Sequence, residues 1–313
     1  MQSIPHVLAL TAPLFLLVAL GYALMRWADW PDAMSDALTR FVFTVAIPAL
    51  LFRLMSDFSR LPPVDARLLI AYFGGSLVVF ALGRAIASRV FRMDGVSQSI
   101  FAMGGIFSNN LLLGIPIAKV TLGDAALPVV SLVLVFNSLL LWTLVTVSVE
   151  WARTRHVSLK GFAKTAINVA TNPIVASIIL GTAWGAVGMP LPDVADRTLD
   201  LIGQAAVPLS LIALGMGLAE YGMREGLRES AAISAVKLVA QPLVVWALAR
   251  VMSLPRLETQ AIVMLASLPV GANVYLMARA FGVLGGPVAA SLLMSTLLAA
   301  VTTPAVLVLM AGR

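Results

Sequence analysis

Two stretches of the sequence combine amide side chains with residues that interrupt helices. They contain Ser108, Asn109, Asn110, Gly114 and Pro116 in the first stretch, and Pro269, Gly271 and Asn273 in the second. Proline lacks the backbone N–H and clashes with the carbonyl four residues earlier, so we expect Pro116 to free the carbonyl of Leu112 and Pro269 that of Leu265. Glycine and asparagine tolerate the irregular dihedral angles of such a break. Both stretches therefore predict an interrupted helix with polar groups at the break.

Interrupted helices of this kind can bind an anion. Freed backbone groups are costly in hydrocarbon unless they face protein or a wet cavity. The N-terminus of a half-helix offers N–H donors and the positive end of a dipole, and the three asparagines add uncharged donors. The substrate-binding candidates are Asn109, Asn110, Asn273, Ser108, Gly271 and Asn137. Two alternatives remain open: each break is a proline kink stabilised by neighbouring helices, and Asn137 is a helix–helix hydrogen bond.

The sequence offers little for other kinds of chemistry. It contains no cysteine, which excludes a disulfide and a thiolate metal site. The two histidines, His6 and His156, are far apart in sequence and have no acidic cluster beside them. No nucleophile–base pair is recognisable, and Gly104-Gly105 is too short for a phosphate-binding loop. We therefore expect neither a metal, nor another cofactor, nor an enzymatic activity.

The composition is that of a membrane protein. Hydrophobic residues make up 60% of the 313 residues and charged residues 12%, whereas a soluble domain has about 25% charged residues. Lipid must therefore be the solvent for most of the exterior. The net charge of +6 is better explained by Lys and Arg in cytoplasmic loops than by nucleic acid, which we do not expect as a partner.

Apolar intervals long enough to cross a bilayer recur along the chain. They are 6–26, 33–55, 67–91, 97–120, 125–149, 166–188, 196–219, 230–252, 259–280 and 286–310. The sequence thus predicts an all-α protein with ten transmembrane helices. We expect the protein to lie in the inner (plasma) membrane. The bias of Lys and Arg places its central loop in the cytoplasm and both termini outside.

Rare residue types recur after 160 positions. Proline recurs at Pro13 and Pro173, and at Pro48 and Pro208, while glycine recurs at Gly21 and Gly181. This register predicts a first five-helix repeat in 1–149, a linker loop in 150–165 and a second repeat in 166–313. Because five is odd, the second repeat must enter the membrane from the opposite side, which is the inverted repeat of many secondary transporters.

The residues around these breaks resemble the auxin efflux carrier family, which includes plant PIN-FORMED carriers and bacterial malonate and malate permeases. The run from Asn109 to Lys119, NNLLLGIPIAK, resembles the family's Asn-Thr-x-x-x-Gly-Ile-Pro-Leu crossover, with Asn110 in place of threonine. The run 261–271, AIVMLASLPVG, resembles the crossover of its ninth helix, and 46–52, AIPALLF, resembles its second helix. The resemblance covers essentially the whole chain.

This resemblance implies a fold shared with bile-acid symporters and sodium/proton antiporters. Helices 4 and 9 would be broken and would cross, helices 1, 2, 6 and 7 would form a scaffold, and helices 3–5 and 8–10 would form a core that carries substrate past it like an elevator. Asn109 would contact a carboxylate, and Pro116 and Pro269 would be the crossover prolines. A homodimer through the scaffold helices would fit this arrangement.

The sequence therefore predicts a secondary transporter for a small organic anion such as malonate, malate or an auxin-like acid. Acidic residues are nearly absent from the interior of the spans, which argues against cation exchange. Lys119, Lys237 and Arg279 either supply positive charge to the anion or extend to lipid headgroups, and Arg84 lies deeper. A sodium-coupled symporter of the bile-acid type and a non-transporting membrane sensor are the alternatives.

Overall fold

The computed structural model describes residues 4–57, 65–154, 173–219 and 226–311, and within these ranges the chain forms helices and no extended strands. In chain order we label twelve helices. They are α1 Ile4–Arg26, α2 Asp32–Ser56, α3 Arg67–Arg89, α4 Gly95–Ile106, α5 Asn110–Thr121, α6 Leu127–Thr154, α7 Pro173–Val187, α8 Asp193–Ala219, α9 Leu227–Val251, α10 Arg256–Ala266, α11 Ala272–Phe281 and α12 Gly285–Ala311.

Six of the described helices are long and apolar enough to cross a membrane, namely α2, α3, α6, α8, α9 and α12. Each of the ten predicted intervals coincides with helix over its described part, but two of them are divided. The interval 97–120 holds α4 and α5, and the interval 259–280 holds α10 and α11. The predicted all-helical membrane protein is thus confirmed, and the two divided intervals are those that carry the interrupting residues.

Three of the described helices contain a π-helical turn just before a proline. These turns cover Val42–Ala46, Asn110–Gly114 and Val236–Ala240, and each ends two residues before Pro48, Pro116 or Pro242. Proline cannot donate a hydrogen bond to the carbonyl four residues earlier. A π-helical turn, which has one extra residue, accommodates this missing bond without a sharp kink in the helix. Two of the three turns, in α5 and α9, lie in helices that form the site below.

Helices α1, α2, α7 and α8 pack together through glycines. Gly21 of α1 lies against the backbone of Ile212 in α8, and Gly181 of α7 lies against Phe52 in α2, where an added Cβ would be 2.6 Å from the Phe52 carbonyl oxygen. A 160-residue shift relates Gly21 to Gly181 and Phe52 to Ile212. The two close approaches are therefore equivalent in the proposed repeat register.

The other helices surround α4 and α10. Helix α9 packs against α3, α4, α10 and α12, and α6 packs against α4, α5 and α10. Large apolar side chains fill much of their contact surface, with Ile100, Phe101 and Met103 of α4 and Ile262 and Leu265 of α10 fully buried. This packing fixes the positions at which α4 and α10 end, and both end inside the protein.

Candidate functional site

Two helices are interrupted inside the protein, and we call the place where the two interrupting segments, 107–109 and 267–271, meet the crossing. After α4 ends at Ile106, the chain is extended until α5 begins at Asn110, and after α10 ends at Ala266 it is irregular until α11 begins at Ala272. The two connecting segments run antiparallel and pair, with the Asn109 N–H donating to the Pro269 carbonyl (3.0 Å) and the Gly271 N–H donating to the Phe107 carbonyl (2.8 Å). Each segment thus satisfies part of the other's exposed backbone.

Hydroxyl groups of α12 form hydrogen bonds with backbone groups of the second segment. The Val270 N–H donates to Ser295 Oγ (3.1 Å), and Thr303 Oγ1 donates to the carbonyl of Ser267 (3.0 Å). These bonds are needed because an unpaired backbone group in an apolar interior costs about as much as a lost hydrogen bond. They fasten the segment 267–271 to α12.

The break in the first helix includes Ser108 and Asn109 but lies earlier than Gly114 and Pro116, the residues that were predicted to cause it. It falls at 107–109, whereas Gly114 has ordinary right-handed helical angles (φ −66°, ψ −46°) and Pro116 lies in the first turn that follows. The Leu112 carbonyl accepts a hydrogen bond from Ser210 Oγ (3.3 Å) of α8, as expected for a carbonyl that lost its own partner. Proline therefore acts on the start of α5 and not on the end of α4.

The second break lies at the predicted proline, but the expected free carbonyl requires a correction. Helix α10 ends at Ala266, three residues before Pro269, so this proline lies in the irregular segment. The Leu265 carbonyl, which the sequence predicted to be free, accepts from the Leu268 N–H (3.4 Å). Pro269 instead presents its carbonyl to Asn109, and its missing N–H removes a donor that this segment would have had to satisfy.

The side chains of Asn109 and Asn110 are buried at the crossing with hydrogen-bonding capacity unused. Asn109 caps α5, since its Oδ1 accepts from the Leu112 N–H (3.4 Å), but its Nδ2 has no partner. Asn110 Nδ2 donates to the hydroxyl oxygen of Tyr72 (3.1 Å), and its Oδ1 has no partner. An unpaired buried polar atom costs about 1–3 kcal/mol, so this is a place where a bound polar ligand would be stabilising.

The structure gathers most of the other predicted residues near this point. Ser108 belongs to the crossing and lies near the Tyr72 hydroxyl (3.4 Å), while Gly271 lies so close that an added Cβ would be 3.0 Å from the Ser108 carbonyl oxygen. Asn273 is half-buried in the first turn of α11. Asn137 is buried on α6 with an unpaired Oδ1.

Tyr72 was missed by the sequence analysis. It is fully buried on α3, and its hydroxyl connects Asn110 to Ser108. A tyrosine in an apolar helix looks like a packing residue, and no spacing rule links it to an asparagine 38 positions away. Its polar end could be recognised only once α3 was placed beside the crossing.

Two side chains of α9 cap the helices that end at the crossing. Lys237 Nζ donates to the Ala266 carbonyl (2.6 Å), and Gln241 Nε2 donates to the Ile106 carbonyl (2.7 Å). Gln241 thus makes an interhelical hydrogen bond between α9 and α4. The interfacial position suggested for Lys237 was wrong, because the side chain is fully buried. Burial follows from where α9 packs, which residue counting within a helix does not reveal.

The remaining cations lie elsewhere. The guanidinium of Arg84 donates to Ser148 Oγ (2.5 Å) and Gln98 Oε1 (3.3 Å), so neutral side chains hold it between α3, α4 and α6. Lys119 is half-buried near the end of α5, and the side chain of Arg279 lies outside the described residues.

Comparisons with known proteins show which proteins the chain resembles. A family model described as "Membrane transport protein" matches residues 6–307. A Rhizobium meliloti protein named "Putative malonate transporter" is 28% identical over 309 residues, which cover 97% of this chain and 96% of the relative. "Auxin efflux carrier component 8" of Arabidopsis thaliana is 21% identical, with 96% of each chain covered. An "Uncharacterized transporter" of Methanothermobacter thermautotrophicus is 24% identical, covering 92% of this chain and 93% of the relative.

Proposed function

Because the chain belongs to the family of membrane transport proteins that includes the auxin efflux carriers, we propose that it is a secondary transporter of a small organic anion. It is a membrane transporter and not an enzyme. The substrate class proposed here is a mono- or dicarboxylate, such as malonate, malate or an auxin-like acid. The name of the Rhizobium relative favours malonate as the first compound to test.

The observation that carries this proposal is the unpaired Nδ2 of Asn109 at the crossing. It is an uncharged donor, buried where α5 begins, and the first turn of a helix adds a positive dipole end. A carboxylate could accept from Asn109 Nδ2 in the way that anions bind to helix N-termini. Asn110, Asn273, Ser108 and Gly271 are the remaining proposed contacts, with Asn137 as an additional polar group on α6.

The charge around the crossing supports an anion over a cation. Among the described residues, the helices that form the crossing carry one carboxylate, Glu258, in the first turn of α10 and eight residues before Ala266. At about 1.5 Å per residue this is roughly 12 Å away. A buried carboxylate is the usual ligand of a cation that is carried through a membrane, and none is near the crossing in the described structure.

We propose that the carrier alternates access by elevator-type movement of a core against a scaffold. The first five-helix repeat would be 1–149 and the inverted second repeat 166–313, joined by the loop 150–165. Two features support this reading. Asn109 and Pro269, which are hydrogen-bonded at the crossing, are 160 positions apart, and the paired glycine approaches of α1–α8 and α2–α7 share that shift.

In this proposal α1, α2, α7 and α8 form the scaffold, through which two copies could dimerise, and the crossing belongs to the core. The protein would lie in the inner membrane with both termini outside. Because the chain has no cysteine, single cysteines at exposed Asp29 and Ser253 can report orientation. A membrane-impermeant maleimide added to whole cells should label Ser253→Cys and not Asp29→Cys; the reverse pattern would contradict the orientation.

The function is tested by flux of radiolabelled malonate, malate and indole-acetate into proteoliposomes, with and without sodium and a pH gradient. Loss of a hydrogen bond to a charged group costs about 1.5–3 kcal/mol, so Asn109→Ala should raise KM by about 10- to 100-fold. Gln204→Ala is the matched control, since this exposed amide bonds only Asp200 one turn earlier on its own helix.

Three results would count against the proposal. Absence of counterflow with any of these acids would favour a membrane sensor. Flux that requires sodium would favour a sodium-coupled symporter. Wild-type KM in Asn109→Ala would remove this residue from the site.

A further inference from the structure

Lys237 and Gln241 occupy successive turns of α9 and make equivalent bonds. They cap the carbonyls of Ala266 and Ile106, which are the last residues of α10 and α4. These two carbonyls are also 160 positions apart, so they correspond in the repeat register. The same helix thus caps both broken helices, once with an amide and once with an amine that is fully buried.

The ends of α4 and α10 need compensation. The C-terminus of a helix carries about half a negative charge on its free carbonyls, and here two such ends lie inside the protein. In transporters built from broken helices, these ends and the adjacent unwound carbonyls are where a coupling cation binds. Lys237 Nζ lies where such a cation would be coordinated, at 2.6 Å from the Ala266 carbonyl oxygen.

No carboxylate explains the burial of this lysine within the described structure. Helices α3, α4 and α12, which pack against α9, contain no Asp or Glu. Glu258 lies at the opposite end of α10, and Glu229 lies eight residues before Lys237 on α9, each about 12 Å away along its helix axis. Among the cations of α3, Arg84 is bonded to neutral groups, and Arg67 and Arg89 are the two terminal residues of the helix. The carbonyl end of α10 is therefore the negative partner of Lys237.

We propose that Lys237 is a tethered cation that takes the place of an exchangeable coupling ion at the end of α10. The crossing is then complete without sodium, and both its stability and the transport activity are independent of sodium. The transport half of this inference rests on the proposed function, whereas the stability half does not.

The test is rescue of a shortened side chain. Lys237→Ala removes the amine and leaves a space, which ethylammonium or sodium can enter to bind the Ala266 carbonyl. We expect purified Lys237→Ala to unfold at a lower temperature than wild type, and millimolar ethylammonium chloride or sodium chloride to restore at least half of that loss. Choline chloride, whose cation is too large and cannot donate hydrogen bonds, supplies the ionic-strength control.

Two control variants separate charge from packing. Gln241→Ala removes the neutral cap of the equivalent carbonyl. Sodium and ethylammonium should therefore raise the melting temperature of this variant no more than choline does. Lys237→Met fills the space without an amine, so it should lose stability and gain nothing from either cation. If Lys237→Ala responds to small cations no more than Gln241→Ala does, the proposal is overturned.

Wild-type protein provides a measurement that needs no variant to fold. Its melting temperature and its flux should be the same in sodium chloride and choline chloride. A sodium-specific rise in either quantity would show an exchangeable ion and overturn the proposal. If no acid is transported but Lys237→Ala is still rescued in the melting assay, the proposed function fails while the tethered cation stands.

Discussion

The contact between α1 and α8 offers a direct test of the packing. Gly215 of α8 lies so close to α1 that a Cβ on it would overlap the carbonyl oxygen of Val18 and lie 2.8 Å from the backbone N of Tyr22. Both obstacles are backbone atoms of a helix and cannot rotate away. Gly215→Ala must therefore push α1 and α8 apart by about 1.5 Å or more, because the nearer obstacle, the Val18 oxygen, must also reach the optimal separation of about 3.5–4.0 Å between non-bonded atoms.

The size of the effect follows from this separation. A gap of about 0.5–1 Å already forfeits a quarter to a half of the dispersion energy of each contact along the interface, and the separation required here is larger. Overpacking typically costs about 1–3 kcal/mol of stability. Because the backbone on both sides is rigid, we expect Gly215→Ala to lie at the upper end of this range. Alanine regains about 1 kcal/mol of helix propensity, so the net destabilisation should be about 2 kcal/mol.

Gly217, two residues further along α8, is the matched control. An added Cβ there meets nothing within 4 Å, so Gly217→Ala should gain about 1 kcal/mol from propensity alone. The two variants should differ by about 3 kcal/mol in the free energy of unfolding, measured by reversible SDS titration in mixed micelles with far-UV circular dichroism. Equal stability of the two variants would refute the close approach of α1 and α8.

Two further predictions concern the crossing and the start of α4. Tyr72→Phe keeps the ring but leaves Asn110 Nδ2 without its acceptor. The KM of transport should therefore rise by about tenfold, and the free energy of unfolding should fall by about 1–3 kcal/mol. Unchanged values in both the flux and SDS-titration assays would contradict the role of this hydroxyl. Asp94 caps α4, and hydrogen bonds, chiefly from the Ser97 hydroxyl, lower the pKa of its carboxyl group. A carboxyl with a lowered pKa stabilises the fold above its ordinary pKa of about 3.9, and this contribution is lost as the pH falls through the lowered value. Asp94→Ala should therefore cost about 1 kcal/mol at pH 7 and progressively less as the pH falls below the ordinary pKa of about 3.9, and a pH-independent difference in unfolding free energy would refute the assignment.

The sequence predicted the helices well because a bilayer imposes a simple rule on it. Apolar intervals of sufficient length must be helical, and the described helices follow the predicted intervals closely. It also identified which two intervals are broken, since Pro116 and Pro269 lie beside asparagine or glycine in an otherwise apolar chain. It assigned the second break correctly to the segment that contains Pro269, but it assigned the first to Gly114 and Pro116, several residues after the observed break at 107–109, because it assumed that the helix ends at its proline.

The residues at the ends of the broken helices show why sequence was insufficient. Helix α4 ends at Ile106 and α10 at Ala266, and neither residue type favours a helix end. What allows these ends is the set of partners supplied from elsewhere: the opposite segment, the hydroxyls of Ser295 and Thr303, and the caps from α9. Such partners are distant in sequence and cannot be read from local pattern.

The two capping side chains also bear on how a repeat acquires function. Ile106 and Ala266 correspond in the two halves and make the same kind of bond, yet one receives it from the neutral Gln241 and the other from Lys237. A symmetric pair of breaks needs only two donors, and two amides would have satisfied both carbonyls. Placing an amine at one of them adds a buried group that costs free energy unless the adjacent helix end compensates it. The two helix ends are therefore alike in their backbone, and they differ only in the donor that α9 supplies to each. In the proposed carrier, the donor at the end of α10 would decide whether transport depends on a coupling ion.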